Sequence, residues 1–372
     1  MSSPAAAGVP EPEPYGHWAA LRRASPVQWS PRFEAWLVLG YEAGFAAFRA
    51  RSLSTDAYRR FRPAPVPLAA SFEHPRRANR ELRKAIASAL PPRAWFRALL
   101  APASRRVLER AAAARRVDFV ADVAEPLARA WLEALLGLDS RRAAELVALA
   151  CLAHAEADAA RRQAAGALLR DGLIAEIEGR RSDPGEDLLS AMAPAWRQAG
   201  ASDADLAAFV APVVFSVAQR RGAQLLTCAA LALSENPEAL EAGPSVRALI
   251  REAARWEPVN AAAPRRVERP LDLAGAHLAR NDLVLVVLPA VCHDPARHPD
   301  PARFDPTRRE TSLAFGLGEH RCLGQDLALT ASETALRELQ AAGLRLSPSP
   351  HDSPRFEVDL GRTCTSLPLL IE

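Results

Sequence analysis

Residues 315–324, Phe-Gly-Leu-Gly-Glu-His-Arg-Cys-Leu-Gly, constrain this chain more than any other stretch. A glycine-rich loop delivers one cysteine, Cys322, to the start of a helical run over 325–342. The first turn of a helix leaves backbone N–H groups without intrahelical partners, and the helix dipole puts partial positive charge there. Both favour a thiolate over a thiol, and a thiolate is a metal ligand. Gly316, Gly318 and Gly324 allow backbone shapes that other residues resist, and they let a flat ligand approach the chain closely. Phe315 offers the sulfur an apolar shield, while His320 and Arg321 offer donors to acidic groups on that ligand. The pattern predicts a thiolate that holds a metal, with the metal's macrocycle lying across the loop. A buried free cysteine in a glycine turn is the plainer alternative. It accounts for neither the phenylalanine nor the histidine.

The decamer resembles the cysteine-ligand loop of the cytochrome P450 family, F-x-x-G-x-H-x-C-x-G, with Phe315, Gly318, His320, Cys322 and Gly324 on family positions. The resemblance implies a mainly α fold with a small β region, one domain over 15–372, and an N-terminal lead over 1–14 that is disordered. It implies haem b, iron protoporphyrin IX, with Cys322 as the axial thiolate and with Phe315, Gly316, Gly318, His320 and Gly324 around it. A thiolate ligand pushes electron density to the iron. The implied activity is that of a monooxygenase-like oxidoreductase acting on a small organic substrate in specialised-metabolite biosynthesis. The implied electron source is a ferredoxin with its reductase, or another donor.

Composition agrees with a large globular chain. Hydrophobic residues make up 49% and charged residues 24% of 372 positions, enough for a sizeable core. The net charge of +3 is small for a nucleic-acid binder, and the basic residues are dispersed, so no nucleic-acid partner is expected. The five cysteines are scattered and form no CxxC pair, which argues for a reducing compartment rather than a disulfide framework. Residues 1–14 have no apolar signal segment, and no apolar run approaches the ~20 residues that span a bilayer. The expectation is a cytoplasmic protein with no membrane partner.

Along the chain, the pattern predicts a helix over 15–24, a hairpin from 27–29 and 35–39 about a turn at Ser30-Pro31, and a helix over 41–49. Residues 51–72 lack periodicity. Arg59, Arg60 and Arg62 in this loop face either the pocket or solvent. A helix over 75–90 stops at Pro91-Pro92. By resemblance this helix binds a haem propionate through Arg83, with Asn79 where the family has histidine. Asn79 can donate a hydrogen bond but carries no charge. Arg76, Arg77 and Arg80 form either a docking surface for an acidic electron carrier or a solvated face. One core helix is expected over 117–138 and a long alanine-rich helical stretch over 140–177. This stretch is short beside the two-helix lid of the resembling family, and the resemblance therefore implies a trimmed lid. A turn at 182–185 and a helix over 187–198, kinked at Pro194 and closed by Gly200, follow.

Ser202 and Asp205 form a capping box that opens a helix reaching Glu235, roughly 50 Å long at about 1.5 Å per residue. In the resembling family, the long central helix crosses the distal haem face and carries an acid–alcohol pair that relays protons. Here that segment falls on Gln219, Arg220 and Arg221, with Arg220 at the acid position and Arg221 at the alcohol position. No Asp or Glu lies between Asp205 and Glu235, and Thr227 comes nearly two turns too late. A permanently charged guanidinium is a poor proton relay. One of the two arginines then holds a substrate carboxylate or phosphate, as an arginine does in some peroxide-using members. The alternative is that both reach internal carboxylates or solvent.

Glu252 and Arg255 share a helix face at i and i+3. By resemblance they lock onto Arg308 in the proline-dense, non-periodic segment 293–308 that precedes the cysteine loop. Arg265, at the start of a hairpin leading to Gly275, is the second propionate candidate by resemblance, with Arg266 behind it. Residues 283–288 form an apolar strand and 363–370 a weakly alternating one. Three functional readings remain open. The first is monooxygenation with a non-standard proton route. The second is peroxide-dependent oxidation, or a redox rearrangement, coupling or cyclisation of a substrate whose anionic group Arg220 or Arg221 holds. The third is a haem-bearing domain that binds a partner without catalysis.

Overall fold

The computed structural model of the chain describes residues 14–55, 87, 90–198, 202–218, 221–239 and 245–372. Helices α1 (Tyr15–Ala24) and α2 (Tyr41–Arg49) flank the antiparallel hairpin of β1 (Val27–Ser30) and β2 (Ala35–Val38), where the sequence predicts them. Strand β3 (Leu53–Ser54) follows. The lead over 1–13, the arginines at 59, 60 and 62, and most of the expected helix over 75–90 lie outside the described residues. Helix α3 (Arg93–Ala114), which the sequence reading did not assign, contains Pro102.

Residues 117–138 are not one helix. They form β4 (Arg116–Asp118), a π-helical segment (Phe119–Ala124) and α4 (Glu125–Leu136). The cause is distant: β4 pairs with a C-terminal strand, and the Asp118 carboxylate accepts from Val120 N–H and Leu367 N–H, both at 3.0 Å. Helix α4 ends at Gly137, whose φ of +62 suits glycine. A β-carbon there would lie 2.8 Å from Asp187 Oδ2.

The alanine-rich stretch is also divided, into α5 (Ser140–Ala155) and α6 (Ala159–Ser182), joined only by residues 156–158. Helix propensity alone would continue through it. Asp158 instead caps a new helix by accepting from Arg161 N–H at 2.8 Å, as Asp139 caps α5 through Arg142 N–H at 2.7 Å. Helix α7 (Leu188–Gln198) contains Pro194; Gly200 lies outside the described residues.

Helix α8 (Asp203–Ala218) opens at the capping box: Ser202 N–H donates to Asp205 Oδ2 at 2.9 Å, and Asp205 N–H donates to Ser202 Oγ at 3.2 Å. Helix α9 (Arg221–Glu235) continues beyond residues 219–220, which are outside the described set. Every residue from Ala223 to Ser234 is buried, so α9 is enclosed all round and crosses the interior. Helix α10 (Val246–Trp256) starts at Ser245, whose hydroxyl accepts from Ala248 N–H at 3.1 Å.

Strands β5 (Ala262–Val267), β6 (Leu271–Leu273), β7 (Ala276–Leu278) and β8 (Leu283–Val287) precede the short helix α11 (Leu288–Cys292). The main sheet runs β1-β2-β8-β5-β3. Strand β8 is buried at every position, with β2 parallel on one side and β5 antiparallel on the other. A 3-10 turn (Gly318–His320) leads to α12 (Gln325–Ala341). The C-terminal strands are β9 (Leu346–Pro348), β10 (Arg355–Val358), β11 (Arg362–Ser366) and β12 (Pro368–Ile371). Residues 363–370 are therefore two strands broken at Leu367: β11 pairs with β10, and β12 lies between β4 and β9. A second, smaller core lies beneath α1, where Trp18 and Leu360 meet Leu37, Leu39 and Leu285. Among the described residues, no helix is long and apolar enough to cross a membrane.

Candidate haem-thiolate site

Cys322 ends a closed loop. Its N–H donates to Phe315 O at 2.9 Å, Gly316 N–H donates to Leu313 O at 2.8 Å, and Ala328 N–H donates to Gly324 O at 2.8 Å as α12 begins. Gly316 and Gly318 have φ of +69 and +72, a region that costs a side-chain-bearing residue steric strain. Gly324 differs from expectation: its φ is −78, which any residue adopts. A β-carbon there would lie 3.9 Å from Cys322 Sγ, an ordinary contact, so neither its backbone nor its protein neighbours require glycine. Phe315 and His320 are half-buried, and Arg321 is exposed with Nε donating to Gln325 Oε1 at 2.7 Å.

The cysteines fall into two settings. Cys228, Cys292 and Cys364 are buried, and burial pushes their thiols up, to about 11 for Cys292 and about 12 for Cys364. Cys322 is exposed at the mouth of a helix. Cys151 is also exposed, but it lies inside α5, where backbone N–H groups are committed to the helix. An accessible sulfur at a helix start, behind two left-handed glycines, fits a thiolate-ligated flat metallocofactor such as haem.

The segment before the loop has no ladder to satisfy its backbone, so its carbonyls need other donors. Arg255 and Arg308 supply them. Arg255 donates to Cys292 O (3.1 Å), Pro301 O (2.9 Å) and Arg303 O (3.3 Å); Arg308 donates to Pro299 O (2.7 Å) and Asp300 O (2.8 Å). Glu252 joins the two. Its Oε2 accepts from Arg255 Nε at 2.8 Å, and its Oε1 accepts from Arg255 Nη2 (2.7 Å), Arg308 Nε (3.2 Å) and Asp305 N–H (3.0 Å). Arg255 is 1% exposed and Glu252 5%, so this is a buried charge cluster with its donors and acceptors matched.

Arg265 is buried on β5, with Nη1 donating to Pro264 O at 2.8 Å and its guanidinium 5.2 Å above the Phe48 ring. Arg221 is exposed at the first position of α9. Asn79, Arg83, Gln219 and Arg220 lie outside the described residues. The structure therefore places Arg265 over Phe48, which packs on the Cys322 loop, and the Glu252–Arg255–Arg308 cluster on the segment that precedes that loop.

Sequence reasoning missed Phe48 beside the loop and two buried polar groups, His298 and Glu257. Phe48 touches both the loop and Arg265, yet in the sequence it is one more apolar helix position. His298 is fully buried against the edge of Tyr41, and among the described residues neither ring nitrogen has a hydrogen-bond partner. Burial, with Arg255 and Arg308 next, holds His298 down at about 4. Glu257 forms a buried pair with Arg362 and accepts from Tyr15 Oη at 2.7 Å; its position one residue after α10 was the only signal.

A sequence profile of the cytochrome P450 family matches residues 238–341. The chain is similar to the cytochrome P450 monooxygenase PikC of Streptomyces venezuelae, 31% identical over 385 residues that cover 96% of this chain and 91% of that one. It is also 31% identical to the 6-deoxyerythronolide B hydroxylase of Saccharopolyspora erythraea, over 44% of this chain and 42% of that enzyme. A solved structure of a P450 EryK mutant in complex with erythromycin B superposes with a TM-score of 0.77 at 25% identity, covering 96% of this chain and 95% of the other. The cytochrome P450 260B1 of Sorangium cellulosum So Ce56 superposes with a TM-score of 0.82 at 24% identity, covering 95% and 94%. A helix-mouth cysteine in a left-handed glycine loop, preceded by a segment tied to a buried Glu–Arg–Arg cluster, in a chain matched along nearly its whole length by a P450 monooxygenase, identifies this chain as a member of the cytochrome P450 family, an oxidoreductase of the monooxygenase class.

Proposed function

We propose that residues 15–372 act as one catalytic unit that binds haem b through Cys322 and oxidises a small organic molecule of specialised metabolism, with electrons from a ferredoxin pair or a similar donor. The observation that carries this reading is the exposed Cys322 at the mouth of α12, in a loop with two left-handed glycines that follows a segment tied down by the Glu252–Arg255–Arg308 cluster. The names of similar proteins support the substrate class; one is an erythromycin C-12 hydroxylase, 30% identical over 47% of this chain. Haem with a thiolate ligand supplies oxygen activation. The chain's own residues would hold that group. Cys322 would supply the thiolate ligand, Gly316, Gly318 and Gly324 would permit close approach, Phe315 would shield the sulfur, and Arg265, His320, Arg83 and Asn79 would bind its carboxylates.

A second reading rests on the distal segment. No carboxylate occurs between Asp205 and Glu235, and Arg221 is exposed at the start of α9. Arg220 or Arg221 would then hold an anionic group of the substrate, and the reaction would be peroxide-dependent oxidation or a redox rearrangement.

The test is direct. Haem-reconstituted protein should give the thiolate-type ferrous carbonyl spectrum, and Cys322→Ala should abolish it. Persistence of that spectrum in the variant would refute the assignment. Turnover with a ferredoxin pair but not hydrogen peroxide supports the first reading, and the reverse supports the second. Failure with both, from a well-formed haem protein, points to a non-catalytic role.

A further inference from the structure

One apolar residue outside every motif joins the two halves of the site. Phe48, in the last turn of α2, makes three approaches. Its ring lies 5.2 Å beneath the Arg265 guanidinium. Its Cε1 would be 3.8 Å from a β-carbon on Gly316. Its carbonyl oxygen would be 3.3 Å from a β-carbon on Gly318, tighter than an ordinary contact. Phe48 is 8% exposed, and α2 packs directly on the 3-10 turn of the loop. The loop carrying Cys322 and the strand carrying Arg265 are more than fifty residues apart in sequence, and this side chain touches both.

The physics at each contact is distinct. A guanidinium over an aromatic face is attracted by the ring quadrupole, more strongly when water is excluded. Arg265 is 4% exposed, so the ring helps fix where a long, flexible cation rests. On the loop side, the ring and carbonyl fill the space that the two left-handed glycines leave open. An aliphatic residue could fill the same space but offers no quadrupole.

We propose that Phe48 is a positioning residue for the cofactor: it registers the Arg265 guanidinium against the Cys322 loop, so that a flat, carboxylate-bearing ligand is gripped at its metal and at its acidic edge in one geometry. This rests on the reading of Arg265 as a propionate partner. Phe48 itself touches no reacting atom.

The experiment measures haem release from holoprotein to an excess of an apo-globin scavenger, for the wild type, Phe48→Leu, Phe48→Tyr, Arg265→Gln and the Phe48→Leu/Arg265→Gln double variant. Phe48→Leu should release haem roughly thirtyfold faster, the size of one desolvated cation–π contact. Phe48→Tyr, which keeps the ring, should release at the wild-type rate. In the Arg265→Gln background, Phe48→Leu should add nothing, because its effect runs through the guanidinium. Equal acceleration in both backgrounds would overturn the proposal, since that is the mark of packing alone. An unchanged rate in Phe48→Leu would also overturn it. Arg265→Gln releasing haem at the wild-type rate would instead remove the propionate reading on which the proposal stands. Should Phe48→Leu not accumulate as holoprotein, Phe48→Met replaces it, with the same outcomes.

Discussion

Gly318 shows how one residue can be held by two independent constraints. Its φ of +72 suits glycine, and the Phe48 carbonyl would crowd any β-carbon at 3.3 Å. Gly318→Ala should therefore cost about 1–3 kcal/mol and lower the haem content of purified protein. A variant that melts with the wild type and carries full haem would contradict this. His298 poses the opposite case, a polar ring with no hydrogen-bond partner among the described residues. The charged groups around it are Arg255, Arg308, Arg297 and Glu310, and burial opposes a further charge. It is held at about 4, and His293, buried and stacked 3.9 Å from Tyr15, at about 3. Both values are depressed, so the unfolded chain binds protons that the folded chain refuses. Stability is complete above the ordinary histidine value near 6.5, and falls from there down to about 4 for His298 and about 3 for His293. The loss is about 1.4 kcal/mol per pH unit for each ring. His298→Phe removes two unsatisfied nitrogens and one of these protons. It should gain about 1–3 kcal/mol near neutral pH and show a shallower loss on acidification. Thermal melts near pH 7.5 and near pH 5 decide it; a variant less stable at both would count against the account.

At the scale of elements, the segment between α11 and the cysteine loop is stiff without regular structure because two arginines collect its carbonyls and Glu252 holds both arginines. Replacing Glu252 leaves Arg255 buried and short of its carboxylate. Glu252→Gln should cost about 3–5 kcal/mol. Denaturant titration measures this, and hydrogen exchange should rise first in residues 299–308. A loss spread evenly over the chain would argue against a local role. The spacing of Glu252 and Arg255 was legible as a helix pair. That Arg308 would join them followed from resemblance, and the carbonyls they satisfy could not be read from any spacing. The capping box at Ser202 was legible because its bonds span three residues. The division of 140–177 was signalled only by Asp158, a cap within a strong helix-forming run. The foot of that helix pair is tied by Arg180, which donates to Leu136 O at 2.6 Å and Gly137 O at 2.7 Å and pairs with Glu176 and Asp187.

Across the whole molecule, the first helix and the last hairpin are bound to the end of α10. Tyr15 donates to Glu257, Arg362 pairs with the same carboxylate, and Trp18 Nε1 donates to Leu360 O at 2.9 Å. Burial pushes the Glu257 carboxyl up, and Arg362 pulls against that shift. Arg362→Met should strand the carboxylate and cost about 3–5 kcal/mol, with increased exchange in α1 as well as in β10 and β11. Protection retained in α1 would show that the termini are held separately. Contacts of this range close late and slowly in folding. The sequence by itself determined the features whose causes lie within a few residues: caps, helix periods, the two left-handed glycines and the cysteine at a helix mouth. Tertiary structure alone decided that Val117 is strand rather than helix, that 363–370 is two strands in two sheets, that Phe48 lies against the cysteine loop, and that His298 is buried beside Tyr41. Each of those outcomes depends on a partner far along the chain, and no local pattern encodes the identity of a distant neighbour.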